Sequence, residues 1–422
     1  MDIALSFRAS LEKGLTRGFE TVDEGGNEVE RLRREDFGRF ALRGLREFDA
    51  FDWHSPRLLN HNTIIMADSE TNKLDSEILA FIKKYGSSSS TDDVFGALAL
   101  KVYRYQYGRN RFYRKYCDLE GQTPETVRGW KEIPAMPVAG FKDLVLTGFP
   151  AKNAVKIFRT SGTTCGAQRR GAHLFDTLKL YEAAIVPTFE KFLMPRSGRI
   201  DMRFLIAPPN EAPDSSLSFM MGVVRQKFSN CGNFYVKNGE PFFKELAQDL
   251  RGLRLKTLIL TTAFALKGFL DTLNQQKISL RLPKGSRIME TGGFKGKTRE
   301  ISKVALYRDC RSRLGVPEKN CISEYGMTEL SAQFYSRGLS GFFQGPAWAR
   351  TLVMDPLTGK EAIRGRRGLL RHIDLANRGS VMAIQTEDLG TAGKARTFRL
   401  TGRAKGSELR GCSLSYEEFV RQ

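Results

Sequence analysis

The fold turns on Ala154-Val155-Lys156-Ile157-Phe158, followed after Arg159 by Thr160-Ser161-Gly162-Thr163-Thr164. Val155, Ile157 and Phe158 have the β-branched and aromatic character of a buried strand. Behind the loop, Cys165-Gly166-Ala167 leads into a run with helical spacing, Leu174, Leu178, Tyr181 and Ile185. The expected layout is strand, small hydroxyl-rich loop, helix. Residues without bulky side chains let backbone N–H groups and hydroxyls close around the oxygens of an oligophosphate. Arg169 and Arg170 follow and can balance its charge. An ordinary Ser/Thr/Gly turn has the same composition, and this stretch alone does not separate the two.

The chain around it is long enough, at 422 residues, for a large core and two or more domains or subdomains. A hydrophobic share of 41% with 29 Phe marks a globular protein. No N-terminal stretch joins a basic head to an apolar run, so no signal peptide is read. The longest apolar stretch, Thr257 to Leu266, is too short for a transmembrane segment. Six scattered cysteines, Cys117, Cys165, Cys231, Cys310, Cys321 and Cys412, show no metal spacing and read as reduced thiols of a cytoplasmic protein. The net charge of +20 is not blocked into runs, and residues 1–60, with ten Arg/Lys against twelve Asp/Glu, do not carry it. A basic enzyme surface is favoured over a nucleic-acid partner, since no RNA-binding or zinc-finger pattern appears.

Residues 1–73 read as an extension of uncertain order, with one marginal helix around Arg31–Phe48 and a natural start at Met66. Beyond Thr91 the chain turns helical, with Phe95, Leu98, Leu100, Val102 and Tyr103 on an apolar face. Tyr105, Tyr107, Phe112, Tyr113 and Tyr116 follow among arginines and read as helical core rather than as a stacking platform for bases. Past the loop, strands at Phe204–Ala207 and Leu258–Leu260 alternate with helices at Ser216–Val224, Pro241–Leu253 and Ala263–Leu273. That alternation argues an α/β architecture.

Three later stretches join the loop. Ile288-Met289-Glu290-Thr291-Gly292-Gly293 is a strand ending in paired glycines, which let a flat ring lie against the backbone or serve a plain turn. Cys321-Ile322-Ser323-Glu324-Tyr325-Gly326-Met327-Thr328-Glu329 sets an aromatic, a glycine, a hydroxyl and a carboxylate at a strand end, where α/β ligands bind. Val381 to Gly390 is a strand delivering Glu387 and Asp388 before a glycine, suited to a ribose or to an acidic turn.

Taken in order, TSGTT, the glycine pair, YGMTE, TEDLG and Leu400-Thr401-Gly402-Arg403 resemble the adenylate-forming superfamily of acyl-CoA synthetases, luciferases and adenylation domains. Within it the wording of Glu290 to Gly296, Ser323 to Ser331, Asp374-Leu-Ala-Asn and Leu409-Arg-Gly-Cys-Ser-Leu is most similar to the acyl-protein synthetase family of bacterial luminescence. The likeness covers roughly Leu79 to Glu418. It implies the large N-terminal domain of that fold, with layered αβαβα sheets, over residues 74–400. A hinge motif and stub over 401–422 would follow, with the small C-terminal domain essentially absent.

The resemblance also implies roles. Thr160, Ser161, Gly162, Thr163 and Thr164 would hold the terminal phosphates of ATP. Gly292 and Gly293 would lie against the adenine and Tyr325 would stack on it, with Gly326 in the same site. Thr328 would bond the α-phosphate and Glu329 would hold Mg²⁺. Asp388 would take the ribose hydroxyls, with Arg403 beside ribose or phosphate. Cys412 would accept the acyl group, with Arg410 favouring its thiolate and Cys165 as second candidate. The chemistry would be attack of a carboxylate, from a fatty or aryl acid, on the α-phosphorus. Phe219–Val223 and Thr262–Ala265 would supply the acyl tunnel, and an acyl-accepting reductase or carrier protein would unload the enzyme. The usual lysine of the phosphate loop is missing, and an arginine would replace it. His173 fits either a phosphate contact or a structural role, and His372 reads as structural. A ligase acting on coenzyme A or a carrier thiol, and a basic nucleotide- or nucleic-acid-binding protein without catalysis, both stay open.

Overall fold

A computed structural model describes residues 61–86, 88–160, 170–194, 198–292 and 302–404. The chain divides into two compact units, Met1–Ile65 and Met66–Gln422, and the second carries every contact given below. The helix expected around Arg31–Phe48 lies outside the described residues.

Three helices open the described chain: α1 (His61–Tyr85), α2 (Asp92–Arg109) and α3 (Arg111–Leu119). The border expected after residue 73 falls inside α1. Thr91 caps α2 and Asn110 caps α3, each accepting a backbone N–H through its side chain. The aromatic run is core, with Tyr103, Tyr105, Tyr113 and Tyr116 buried. Tyr103 donates to the Gln122 carbonyl at 2.5 Å and Tyr113 to the Pro134 carbonyl at 2.7 Å, so these hydroxyls are spent inside the fold. Asp75 fastens α1, since its carboxylate accepts from the buried Arg378 at 2.6 and 2.8 Å. The same guanidinium donates to Asp176 at 2.7 Å.

The short strand β1 (Met136–Pro137) and the single-turn helix α4 (Gly140–Asp143) lead to β2 (Lys156–Arg159) and β3 (Ala172–Phe175), which pair as an antiparallel hairpin. Here the layout departs from strand, loop, helix. Leu174 lies in β3 opposite Ile157, and the helix α5 (Lys179–Leu193) begins only after it. The spacing of Leu174, Leu178 and Tyr181 mimics a helical stripe by coincidence, because a strand residue and a helix start happen to fall in step. Nor is β2 buried throughout. Phe158 is covered, but Ile157 is 36% exposed, and Val155 just before the strand 62%, as expected of a two-stranded sheet with one open face.

The main sheet contains β4 (Ile200–Leu205), β5 (Ser229–Phe234), β8 (Thr257–Thr262), β9 (Arg287–Thr291), β10 (Cys321–Tyr325) and β11 (Phe334–Arg337), with the small hairpin β6 (Val236–Lys237) and β7 (Glu240–Pro241) set aside from it. Its order is β11-β10-β9-β8-β4-β5, and only the β10–β11 pairing is antiparallel. The apolar run Leu258-Ile259-Leu260 is fully buried, as a parallel strand covered on both faces requires. One face packs on α5 and α6 (Ser216–Phe228) through Ile185, Phe189, Met221 and Val224. The other packs on α7 (Phe243–Leu250), α8 (Ala263–Gln275) and α9 (Lys303–Leu314) through Leu246, Leu266, Phe269 and Tyr307.

A second sheet, β12 (Phe342–Phe343), β13 (Ala349–Met354), β14 (Arg367–Asp374), β15 (Ala383–Ala392) and β16 (Phe398–Arg403), runs antiparallel in the order β12-β16-β15-β14-β13, with β1 added parallel to β15. Helix α5 serves both sheets. Its Ile185 and Phe189 join the core of the first, while Leu180 and Ala184 join that of the second together with Phe95 and Val102 of α2. This is the layered α/β architecture that the sequence leads one to expect. Among the described residues no helix is long and apolar enough to cross a membrane.

Candidate active site

The carboxyl-terminal end of the parallel sheet gathers the candidate residues. Strands β9 and β10 pair with Glu324 opposite Thr291, so Gly292 and the segment starting at Gly326 leave the sheet side by side. Gly292 has φ +77°, a left-handed conformation that a side chain would strain. Gly293, the loop residues Ser161, Gly162, Thr163, Thr164 and Cys165, and Cys412 with Arg410 lie outside the described residues. The neck of that loop is described. Thr160 N–H donates to the Gly171 carbonyl at 2.9 Å, and its hydroxyl accepts from Gly171 N–H at 2.9 Å. Arg170 donates to the Thr160 carbonyl at 2.5 Å and to Asp214 at 2.7 Å. Its charge is therefore balanced within the neck, where the sequence had offered it to a phosphate.

Tyr325 sits deep, edge-on to Phe343 and Phe398. Its hydroxyl donates to Asp388 Oδ2 at 2.9 Å, which joins the two sheets at this point. The phenol oxygen then accepts from His372 Nε2–H at 3.2 Å, and His372 Nδ1 accepts from the Thr351 hydroxyl at 3.0 Å. One histidine tautomer satisfies all three bonds. Burial lowers His372 to about 3, so the ring is neutral. Burial, reinforced by the Asp388 charge, pushes the Tyr325 phenol well above its usual range.

Asp388 stands within a strand, ahead of Gly390. Strand β15 continues past it to Ala392, with a bulge between Leu389 and Gly390. Bulges of this kind re-aim neighbouring side chains. Arg403 lies directly opposite Asp388 on β16, yet its guanidinium donates twice to Glu387 Oε2, at 3.1 and 2.7 Å. Burial alone would lower Arg403, but its bonds to Glu387 and the nearby charges of Asp388 and Glu329 leave it raised.

Thr328 and Glu329 sit on a segment whose backbone is held from three sides. His173 Nδ1–H donates to the Thr328 carbonyl at 2.9 Å, and Asn377 Nδ2 donates to the Glu329 carbonyl at 2.7 Å. Asp374 accepts from Ser331 N–H at 2.9 Å, Ala332 N–H at 2.7 Å and Ala376 N–H at 3.0 Å. Burial lowers His173 to about 4 and makes it a neutral donor. Burial raises Asp374 to about 6, and its three N–H donors keep it ionised at neutral pH. Glu329 is buried. Among the described residues no group of three or more His, Cys, Asp or Glu is placed to hold a metal ion. A single carboxylate such as Glu329 suits a magnesium ion shared with phosphate oxygens and water, and not one caged by protein alone.

One family model, described as acyl-protein synthetase, LuxE, matches residues 58–420. The chain belongs to the LuxE acyl-protein synthetase family. Among solved structures it is similar to 2-hydroxyisobutyryl-CoA ligase in complex with 2-HIB-AMP and CoA, with TM-score 0.56 and 15% identity over 75% of this chain and 68% of that one. The same ligase in its postadenylation state gives TM-score 0.56 and 13% identity over 73% and 67%. ATP-bound MatB from Rhodopseudomonas palustris gives TM-score 0.44 and 14% identity over 61% of this chain and 49% of that one, so the chain spans about half of MatB's length. At such identities the likeness to the CoA ligase is one of fold, the adenylate-forming ligase fold. No curated protein matches in sequence.

For this LuxE-family chain, sequence reasoning named the residues around the turn but missed those that hold it. Asp374 and Asn377 stand within the Asp374-Leu-Ala-Asn wording, which carried the family likeness without a role. His173 is structural, through the Thr328 carbonyl, and His372 is structural through Tyr325.

Proposed function

We propose that this chain uses ATP to activate a carboxylic acid as its acyl-adenylate and then transfers the acyl group to the thiol of Cys412. A carboxylate oxygen attacks the α-phosphorus. The new O–P bond forms as the bond to the bridging oxygen breaks, and the electron pair leaves with pyrophosphate. The Cys412 thiolate then attacks the acyl carbon and AMP departs, leaving a thioester for a reductase or carrier protein to unload. A fatty acid is the substrate class that the family name and the aromatic cluster beneath β10 favour.

The observation that carries this reading is the Tyr325–Asp388 hydrogen bond at 2.9 Å. It brings the end of β10, with Thr328 and Glu329 behind it, against the strand that bears Asp388 opposite Arg403. In this reading Asp388 takes the ribose, Thr328 the α-phosphate, and Arg403 the charge beside them. Gly292 leaves its backbone open to the base, and Thr160 closes the neck of the phosphate loop. Glu329 would hold magnesium, which neutralises charge on the phosphates when bound.

The test is incubation with ATP, magnesium and a panel of fatty and aryl acids, followed by mass spectrometry of the peptide containing Cys412. A mass gain equal to one acyl group on that cysteine supports the proposal. Thioester formed only on coenzyme A or a carrier thiol, with Cys412 unmodified, would replace the acceptor and leave the activation step.

A further inference from the structure

The face of the parallel sheet that packs on α5 and α6 carries polar groups at two places: Arg287 and Arg337 donate to the Leu193 and Phe192 carbonyls of α5, and a second group lies inside the core. Ile322 of β10 and Met289 of β9 belong to its core, and by the two-residue alternation of strands Glu324 and Thr291 point the same way. Tyr335 of β11 lies directly opposite Glu324 in the antiparallel pairing and stacks on Phe192 at 5.4 Å within the same cluster. Three polar groups thus converge inside an aromatic cluster that also holds Phe158, Phe175 and Tyr181.

Their bonding is incomplete. The Thr291 hydroxyl donates to Glu324 Oε2. Tyr335 is fully buried, and its hydroxyl has no hydrogen-bond partner. Leaving such a group unpaired is costly, so a buried orphan of this kind points to something that completes it. Gly326 makes room for the carboxyl, since a Cβ there would overlap Glu324 Oε1. The Tyr181 hydroxyl is spent on the Ser216 carbonyl at 3.2 Å and does not fill the gap. Burial raises Glu324 to about 7, so it is partly neutral near neutral pH and able to donate as well as accept.

Position decides the occupant. Glu324 precedes Tyr325 in the chain, and Thr291 precedes Gly292. The polar point therefore lies between the residues proposed for the adenylate and the aromatic cluster proposed for the chain of the acid. On the acid-activation reading, this point stands on the route from the adenylate residues into the cluster. We infer that Glu324 and Tyr335 form a polar subsite for a hydroxyl group close to the carboxyl end, so that the preferred substrate is a hydroxylated carboxylic acid. A hydroxyl can donate to Glu324 and accept from Tyr335 at once, which an unsubstituted chain cannot do. This inference rests on the acid-activation reading above.

The experiment is acid-dependent ATP–pyrophosphate exchange with straight-chain fatty acids from short to long, each beside its α-hydroxy and β-hydroxy counterpart. Wild-type enzyme, Tyr335→Phe and Glu324→Gln are compared. A site built to bond a hydroxyl rejects the analogue without it, so kcat/KM for a hydroxylated acid should exceed that of its parent by at least about tenfold. Tyr335→Phe should erase most of that preference while exchange with the parent acid persists. Equal kcat/KM for parent and hydroxylated acids in the wild type, or a preference untouched in both variants, would overturn the subsite. Wild-type exchange with no acid at all would remove the activation reading and this inference together.

Discussion

Replacing Tyr325 by Phe is the sharpest probe of how the two sheets cooperate. The ring stays in its cage of Phe343, Phe398 and His372, so packing is nearly conserved. Two bonds are lost. One is the donation to the Asp388 carboxylate at 2.9 Å, the other the acceptance from His372 Nε2–H at 3.2 Å. A hydrogen bond to a carboxylate contributes about 1.5–3 kcal/mol, and an orphaned donor on a fully buried histidine costs about 1–3 kcal/mol more. Stability should fall by roughly 2.5–6 kcal/mol, read as a lower urea midpoint. If Asp388 binds ribose, freeing its carboxylate should also raise KM for ATP about tenfold, equivalent to about 1.4 kcal/mol. The maximal exchange rate should change little, because the hydroxyl touches no reacting atom. Adding Asp388→Asn should then be clearly less than additive. The reasoning is refuted if the variant unfolds earlier yet keeps its wild-type KM for ATP.

Other expectations follow from single contacts. Asp75→Ala leaves the buried Arg378 with Asp176 as its remaining carboxylate and should cost about 3–5 kcal/mol in urea unfolding, with KM values in the surviving protein unchanged. The buried His173 and His372, held at about 4 and about 3, are neutral in the fold, so their contribution is complete above the ordinary histidine value of 6.5 and is lost as pH falls toward those values. Glu324 works in the opposite sense. Its carboxyl, raised from 4.5 to about 7, costs nothing below the lower value and its full penalty above the higher one. The stability of Glu324→Gln relative to wild type should therefore grow by about 3 kcal/mol between mildly acidic and mildly alkaline pH. Cys412→Ser should abolish the stable thioester while leaving pyrophosphate exchange within about twofold of wild type.

The strand at Leu258–Leu260 was legible because an unbroken apolar run leaves few alternatives, and that at Cys321–Tyr325 through its place before the Gly326 turn. The side-chain caps Thr91, Ser215, Thr262 and Ser302 are local contacts that the sequence reading did not name. The hairpin was not legible. Ala172–Phe175 owes its strand to pairing with Lys156–Arg159 across the loop, and its leucine happens to fall in a helical stripe. The site was named residue by residue through a family likeness, but the bonds that organise it span separations no local pattern encodes. Tyr325 meets His372 and Asp388 at 47 and 63 positions' distance, and His173 meets Thr328 at 155. Arg170 shows the converse. Beside a hydroxyl loop it reads as a phosphate ligand, whereas its partners are Asp214 and the Thr160 carbonyl.

The measurement that bears most directly on the proposed function is exchange of labelled pyrophosphate into ATP, run with magnesium and a panel of carboxylic acids. Activation through an acyl-adenylate predicts exchange that depends on the acid, rises with its concentration to saturation, and collapses in Glu329→Gln and Asp388→Ala. Absence of exchange with every acid tested, from a preparation that binds ATP, would contradict it.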